Sequence, residues 1–214
     1  MGIKKQVVIT GTGRAGTTFL MELLTHLGLD TGFSSHEIEV HKDKVSNAGL
    51  EKNVGESPGA YIMKDPSFVD YAEELLVRDD ICLEHVFVPM RDITAVSDSR
   101  RANQKAHFGR LSLREKLRYF RKPYLLYGGL LHTTSSKKGA QEEVLMKKLF
   151  DLLFSLSKYQ VPVTFIQFPY LLSHPKYLYN KLEPVLKDVS YEVYLKTFET
   201  LSDPEKPRNF NLGK

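Results

Sequence analysis

An apolar run, Gln6-Val7-Val8-Ile9-Thr10, passes directly into Gly11-Thr12-Gly13-Arg14-Ala15-Gly16-Thr17-Thr18-Phe19-Leu20. The β-branched run predicts a buried strand over residues 6–10. Gly11, Gly13 and Gly16 predict a tight turn. Phe19, Leu20, Leu23, Leu24 and Leu27 then recur at helical spacing, so a helix is expected from Gly16 to Leu27, ended by Gly28. A strand, a glycine turn and a helix in this order turn loop amides and the positive end of a helix toward an anion. The spacing from Gly11 to Gly16 fits G-x-x-x-x-G-K-[ST], but Thr17 stands at the lysine position and the loop's cation is Arg14.

The rest of the chain alternates short apolar runs with helical patterns. Ala60 to Met63 predicts a second strand, ended by Lys64-Asp65-Pro66, and Phe68 to Val77 a helix. His85 to Met90 predicts a third strand, followed by Arg91-Asp92 and a helix from Ile93 to Asn103. Glu142 to Tyr159 predicts an apolar helix, Val161 to Phe168 a fourth strand and Pro175 to Leu186 a late helix. Residues 32–59 are polar and dotted with glycine, and are expected to be mostly loop. A basic helix is expected over 111–122, and a Gly/Ser-rich loop over 124–139. The expected fold is an α/β, three-layer α/β/α P-loop-type domain with a mainly parallel central sheet, its 214 residues forming one domain and residues 105–139 an insertion. In such sheets ligands bind at the carboxyl ends of the strands. Gly11–Thr18, Lys64-Asp65, Arg91 and Phe168-Pro169-Tyr170 each fall at such an end, which points to one shared site.

Net charge of +4 and a pI near 9.0 suit a polyanionic ligand without specifying it. The one cysteine, Cys82, is expected to be a buried free thiol. No signal peptide or bilayer-length apolar run is evident, so the expected compartment is cytoplasmic. No His/Cys cluster has metal-ligand spacing, and no metal is expected. A P-loop triphosphatase needs a lysine for the β/γ-phosphates and a strand-end carboxylate for Mg²⁺. Here the lysine is absent and the third strand ends in Met90-Arg91.

The segment from Gly11 to Leu20 resembles the 5′-phosphosulfate loop of sulfotransferases that use 3′-phosphoadenosine 5′-phosphosulfate (PAPS). The family's loop has Lys or Arg two residues before its last glycine, then Ser/Thr-Thr. A second family signature is a strand ending in Arg with Ser eight residues later, and Arg91 and Ser99 have that spacing, with Ser97 as the alternative. The run from Phe168 to Pro175 is similar to a strand–turn–Leu–x–x–x–Pro segment of the family. The family's Arg-Lys-Gly-type C-terminal segment is matched poorly by residues 206–214; Arg100, Arg101 and Arg208 are alternative stand-ins between which the sequence does not decide.

The resemblance implies transfer of a sulfuryl group from PAPS to a hydroxyl or amine of a small molecule or glycan, leaving 3′,5′-diphosphoadenosine (PAP). Gly11, Thr12, Gly13, Arg14, Ala15, Gly16, Thr17 and Thr18 would hold the 5′-phosphosulfate. Arg91 and Ser99 would hold the 3′-phosphate, and Phe19 would wall the adenine. Arg14 and Lys64 would stabilise transferring charge, and Glu37 or His36 would be the base. Asp65 is a weaker base and is also placed to cap the helix expected after it. No nucleic-acid partner and no membrane span are expected, and the sequence leaves the oligomeric state open. An ATP-dependent P-loop kinase and a non-catalytic nucleotide-binding module are the alternatives.

Overall fold

The computed structural model describes residues 2–42, 48–55, 59–110, 112, 114 and 139–202. Four strands, β1 (Lys4–Ile9), β2 (Ile62–Lys64), β3 (Ile81–Met90) and β4 (Val163–Gln167), form a parallel sheet in the order β2-β1-β3-β4. Val7 pairs with Ile62 on one side and His85 on the other, and Val88 pairs with Phe165.

Alternation along the strands sends successive side chains to opposite faces. Val7, Ile9, Ile62, Phe87 and Ile166 build one core with α1 (Thr17–His26), α6 (Pro175–Lys181) and α7 (Tyr191–Leu201). Val8, Met63, Val86 and Val88 build the other with α2 (Ala72–Leu76) and α4 (Ala140–Lys158). Between these lie α3 (Ile93–Arg110), which packs on α4, and the short α5 (Tyr170–Ser173) after β4. The expected three-layer α/β/α arrangement is the one observed. No helix among the described residues is long and apolar enough to cross a membrane.

The chain leaves β1 toward β2, then crosses back to β3 on β1's other side. The reversal opens a crevice at the carboxyl ends of β1 and β3. The glycine turn and Arg91 lie at those two ends.

Several boundaries differ from the expected ones. The helix expected over 68–77 is a 3₁₀ turn, Phe68–Asp70, followed by α2. β3 starts at Ile81 rather than His85, and alternation there turns Leu83 inward and leaves Cys82 exposed, so the thiol is not buried. The helix expected to end at Asn103 continues to Arg110, absorbing the start of the segment assigned as an insertion. The late helix over 175–186 ends at Lys181, and α7, where Tyr194, Phe198 and Leu201 face the core, was not anticipated. Residues 115–138 and 203–214, with the basic segment, the Gly/Ser-rich stretch and Arg208, lie outside the described residues.

Asp65, just past β2, is 2 % exposed and organises the turn that follows. Its Oδ1 accepts the Ser67 amide at 2.8 Å, a turn contact rather than the expected helix cap, since Ser67 itself is the N-cap of the 3₁₀ segment that follows and no side chain caps it. Its Oδ2 accepts the Val54 amide at 3.1 Å and the Tyr71 hydroxyl. Asp65→Ala leaves these donors without their buried acceptor and is expected to cost about 1–3 kcal/mol. Urea unfolding checks this; unchanged stability would show that Asp65 is not structural.

Candidate anion-binding site

The turn after β1 departs from ordinary backbone at four of six positions: Gly11, Gly13, Arg14 and Gly16 have φ of 131°, 67°, 55° and 90°. Glycine takes such angles at little cost, whereas a side chain in the left-handed region costs roughly 1–2 kcal/mol. Arg14 therefore sits where local preference alone would not put an arginine. At Gly16 a Cβ would lie 2.9 Å from Leu171 Cδ1, so the turn packs directly on α5 and tolerates no side chain there. The first backbone bond of α1 runs from the Leu20 amide to the Gly16 carbonyl. The amides of Thr17 and Thr18 precede it and belong to the positive end of the helix.

Three arginines converge on this turn. Arg14 Nε donates to Ser99 Oγ at 3.0 Å. Arg91 Nη1 donates to the Arg14 carbonyl at 3.0 Å, and its guanidinium lies 4.7 Å from the centre of the Phe168 ring. Arg100 Nη2 donates to the Thr12 carbonyl at 2.6 Å, and Arg100 is 3 % exposed. Ser99 is thus the serine at the loop, while Ser97 is fully buried in α3. Arg91 and Ser99, the two residues expected at a 3′-phosphate, each contact a different part of Arg14: its carbonyl and its Nε.

The crowding of like charge shows in the acidities. Burial first, then the neighbouring Arg91, lowers the Arg14 pKa. Burial and then Arg14 push Arg100 down to about 10. Arg91 is lowered by burial, partly offset by Asp92. Guanidinium groups placed this close repel one another, and an anion among them converts repulsion into attraction.

Lys64, at the end of β2, completes the set and is 1 % exposed. Its Nζ donates to Thr18 Oγ1 at 3.1 Å, the Gly49 carbonyl at 2.6 Å and Glu51 Oε1 at 3.2 Å. Burial lowers its pKa most; Glu51 raises it and Arg14 lowers it further. Glu51 escaped the sequence reading because it lies in a polar loop with no periodicity. Only the fold brings it to Lys64. Leu50 beside it is buried with φ of 60°, a side chain held in the left-handed region next to the two residues that grip Lys64.

The other expected residues have different settings. Thr12, Ala15 and Thr17 are buried within the turn, and Thr18 is half-buried against Lys64. Phe19 does not wall a ligand site: it is 5 % exposed, in the core, its ring edge-on to Phe198 at 5.7 Å. Helical spacing turns position 19 inward with Leu20 and Leu23. His36 and Glu37 are exposed on the turns after α1. Glu37 accepts the Ser34 amide at 3.0 Å and the Ser34 hydroxyl at 2.8 Å, which hold its pKa below the usual carboxylate value. Those hydrogen bonds make it a turn-holding carboxylate and a weaker base. Arg101 grips both carboxylate oxygens of Glu142 at 3.0 Å each, tying α3 to α4 rather than reaching the turn.

The fold class and the site together define a parallel α/β protein with a cationic glycine turn at the sheet's switch point. Comparison of the chain with protein-family models, curated proteins and solved structures returned no match.

The Lys64–Glu51 contact has a pH signature. Because the Lys64 pKa in the folded protein lies below 10.5, the unfolded chain holds more protons between those two values. Stability contributed by this group therefore rises with pH through that interval and is lost as pH falls through the folded value. Glu51→Gln removes a group that raises the pKa, so the rise is expected to begin at lower pH. Urea unfolding of both proteins from pH 7 upward tests it; superimposable pH profiles would contradict the coupling.

Proposed function

We propose that this protein is a sulfotransferase that moves a sulfuryl group from 3′-phosphoadenosine 5′-phosphosulfate to a hydroxyl or amine of a small molecule or glycan. The observation that carries the reading is the convergence of Arg14, Arg91 and Arg100 on a strand–glycine turn–helix unit, with Lys64 behind it. A magnesium-dependent triphosphatase needs a lysine at the helix start and a metal-holding carboxylate at a strand end. This chain has Thr17 and Arg91 at those places. The charge balance is that of a site neutralising a polyanion with its own cations.

In this reading the amides of residues 12–18 and Arg14 hold the 5′-phosphosulfate. Arg91, free to offer its remaining N–H groups and steadied on Phe168, holds the 3′-phosphate with Ser99. The acceptor oxygen or nitrogen attacks sulfur, and the bond from sulfur to the bridging phosphate oxygen breaks. Arg14 and Lys64 stabilise the electron pair left on that oxygen. The acceptor's proton goes to a carboxylate. Glu37 and His36 were the expected bases. Glu51 is favoured here for its place and not for its basicity: its Oε1 lies 3.2 Å from Lys64 Nζ, which itself touches Thr18, whereas Glu37 is held in an exposed turn. PAP leaves as the second product.

Calorimetric titration with PAP and with ATP–Mg²⁺ tests the donor class. PAP is expected to bind more tightly, and Arg91→Ala to weaken it by about 1.5–3 kcal/mol, the range for a hydrogen bond to a charged group. Tighter binding of ATP–Mg²⁺ would favour a kinase and overturn the proposal. An unaffected Arg91→Ala would remove Arg91 from the site.

A further inference from the structure

Two of the three arginines do not point their nearest hydrogen bonds outward; they hold carbonyls of the turn. Arg100 Nη2 takes the Thr12 carbonyl at 2.6 Å, and Arg91 Nη1 takes the Arg14 carbonyl at 3.0 Å. A peptide group is planar and trans, so its C=O and the following N–H point in opposite directions. Fixing the Thr12 carbonyl toward Arg100 turns the Gly13 amide away from it. Fixing the Arg14 carbonyl toward Arg91 does the same for the Ala15 amide. Each of these two peptides is thereby held with its N–H turned away from the guanidinium that takes its carbonyl, so two amides of the turn have fixed directions in which to donate to an anion.

We infer that Arg100 is a positioning residue that organises the turn for its anion, acting through the Thr12–Gly13 peptide as Arg91 acts through the Arg14–Ala15 peptide. Three further observations support this. Arg100 is 3 % exposed, so its charge is committed inside the protein rather than offered to solvent. A Cβ on Gly13 would lie 3.0 Å from Arg100 Nη2, so the guanidinium sits tightly against the turn's backbone. Ser99, the preceding residue of α3, accepts from Arg14 Nε, so one turn of α3 fixes both a carbonyl of the turn and its arginine.

The inference rests on the proposed reading only in that the turn is an anion site; it does not require PAPS as the ligand. The experiment uses the full chain and inorganic pyrophosphate as probe, followed by calorimetry and by amide resonances in ¹⁵N-labelled protein. Wild type is expected to bind pyrophosphate and to shift its Gly13 and Ala15 amides. Arg100→Met is expected to weaken binding about ten- to hundred-fold, the range for one charge-assisted hydrogen bond. It should lose the Gly13 shift while keeping that of Ala15, which Arg91 still holds. Arg100→Lys, which restores a donor to the Thr12 carbonyl, should recover part of both. Should the methionine variant not fold, Arg100→Gln, which removes the charge but keeps a polar side chain at the buried position, is expected to show the same weakened binding. A folded Arg100→Met protein with wild-type affinity and an unchanged Gly13 shift overturns the clamp, as does a lysine variant no better than methionine. Pyrophosphate binding without PAP binding upholds the clamp and sinks the donor assignment. Absence of pyrophosphate binding by wild type sinks both.

Discussion

Like charges gathered at one end of a sheet govern this structure. Arg14, Arg91, Arg100 and Lys64 come from the β1 turn, the end of β3, α3 and the end of β2. Burial is the main cause that lowers the pKa values of Arg14, Arg100 and Lys64; Arg91 adds to it at Arg14, and Arg14 adds to it at Arg100 and, more weakly, at Lys64. Bringing cations together and out of water is unfavourable. The strained φ of Arg14, the buried ammonium of Lys64 and the buried guanidinium of Arg100 are three costs in one place. An anion held between the cations is what we propose offsets the electrostatic part of that cost.

The sheet order makes the gathering possible. With β1 and β3 adjacent at the centre, the glycine turn and Arg91 emerge side by side, while β2 and β4 bring Lys64 and Phe168 to the flanks. Each flank then does work on the centre. Phe168 supports the Arg91 guanidinium, Leu171 abuts Gly16, and Lys64 reaches Thr18. α3 closes the arrangement from beneath with Ser99 and Arg100. The turn is thus held at its backbone by side chains distant in sequence, and glycine is required where those contacts come closest.

How much of this could be read in the chain depended on whether the signal was local. The four strands, the glycine turn and α1 announce themselves through runs and periodicity, and Arg91 and Ser99 only through their resemblance to a family signature with that spacing. Contacts between segments left no such mark. Glu51 sits in an aperiodic polar loop, and nothing nearby in sequence links it to Lys64. Arg100 follows Ser99 as an ordinary helical residue until the fold sets it against the Thr12 carbonyl. Phe19 lay within the motif, but its helical phase points it to the core, where Phe198 waits on a helix the sequence reading missed. Cys82 was misjudged because the strand was started at His85; the alternation of Ile81, Cys82, Leu83 and Glu84 shows that β3 begins earlier with one face outward. α7 was missed although Ser190 caps it through the Val193 amide and Tyr194, Phe198 and Leu201 mark its buried face. Tyr191, Tyr194, Leu195, Phe198 and Leu201 recur there at helical spacing, so this helix is legible in the sequence.

The account stands or falls on where a donor-shaped anion settles. A crystal structure of the protein with 3′,5′-diphosphoadenosine measures this directly. The account predicts the 5′-phosphate seated among the amides of residues 12–18 beside Arg14, and the 3′-phosphate within hydrogen-bonding distance of Arg91 and Ser99. A nucleotide bound elsewhere on the sheet, or one whose phosphates leave Arg14 and Arg91 uncontacted, would contradict it.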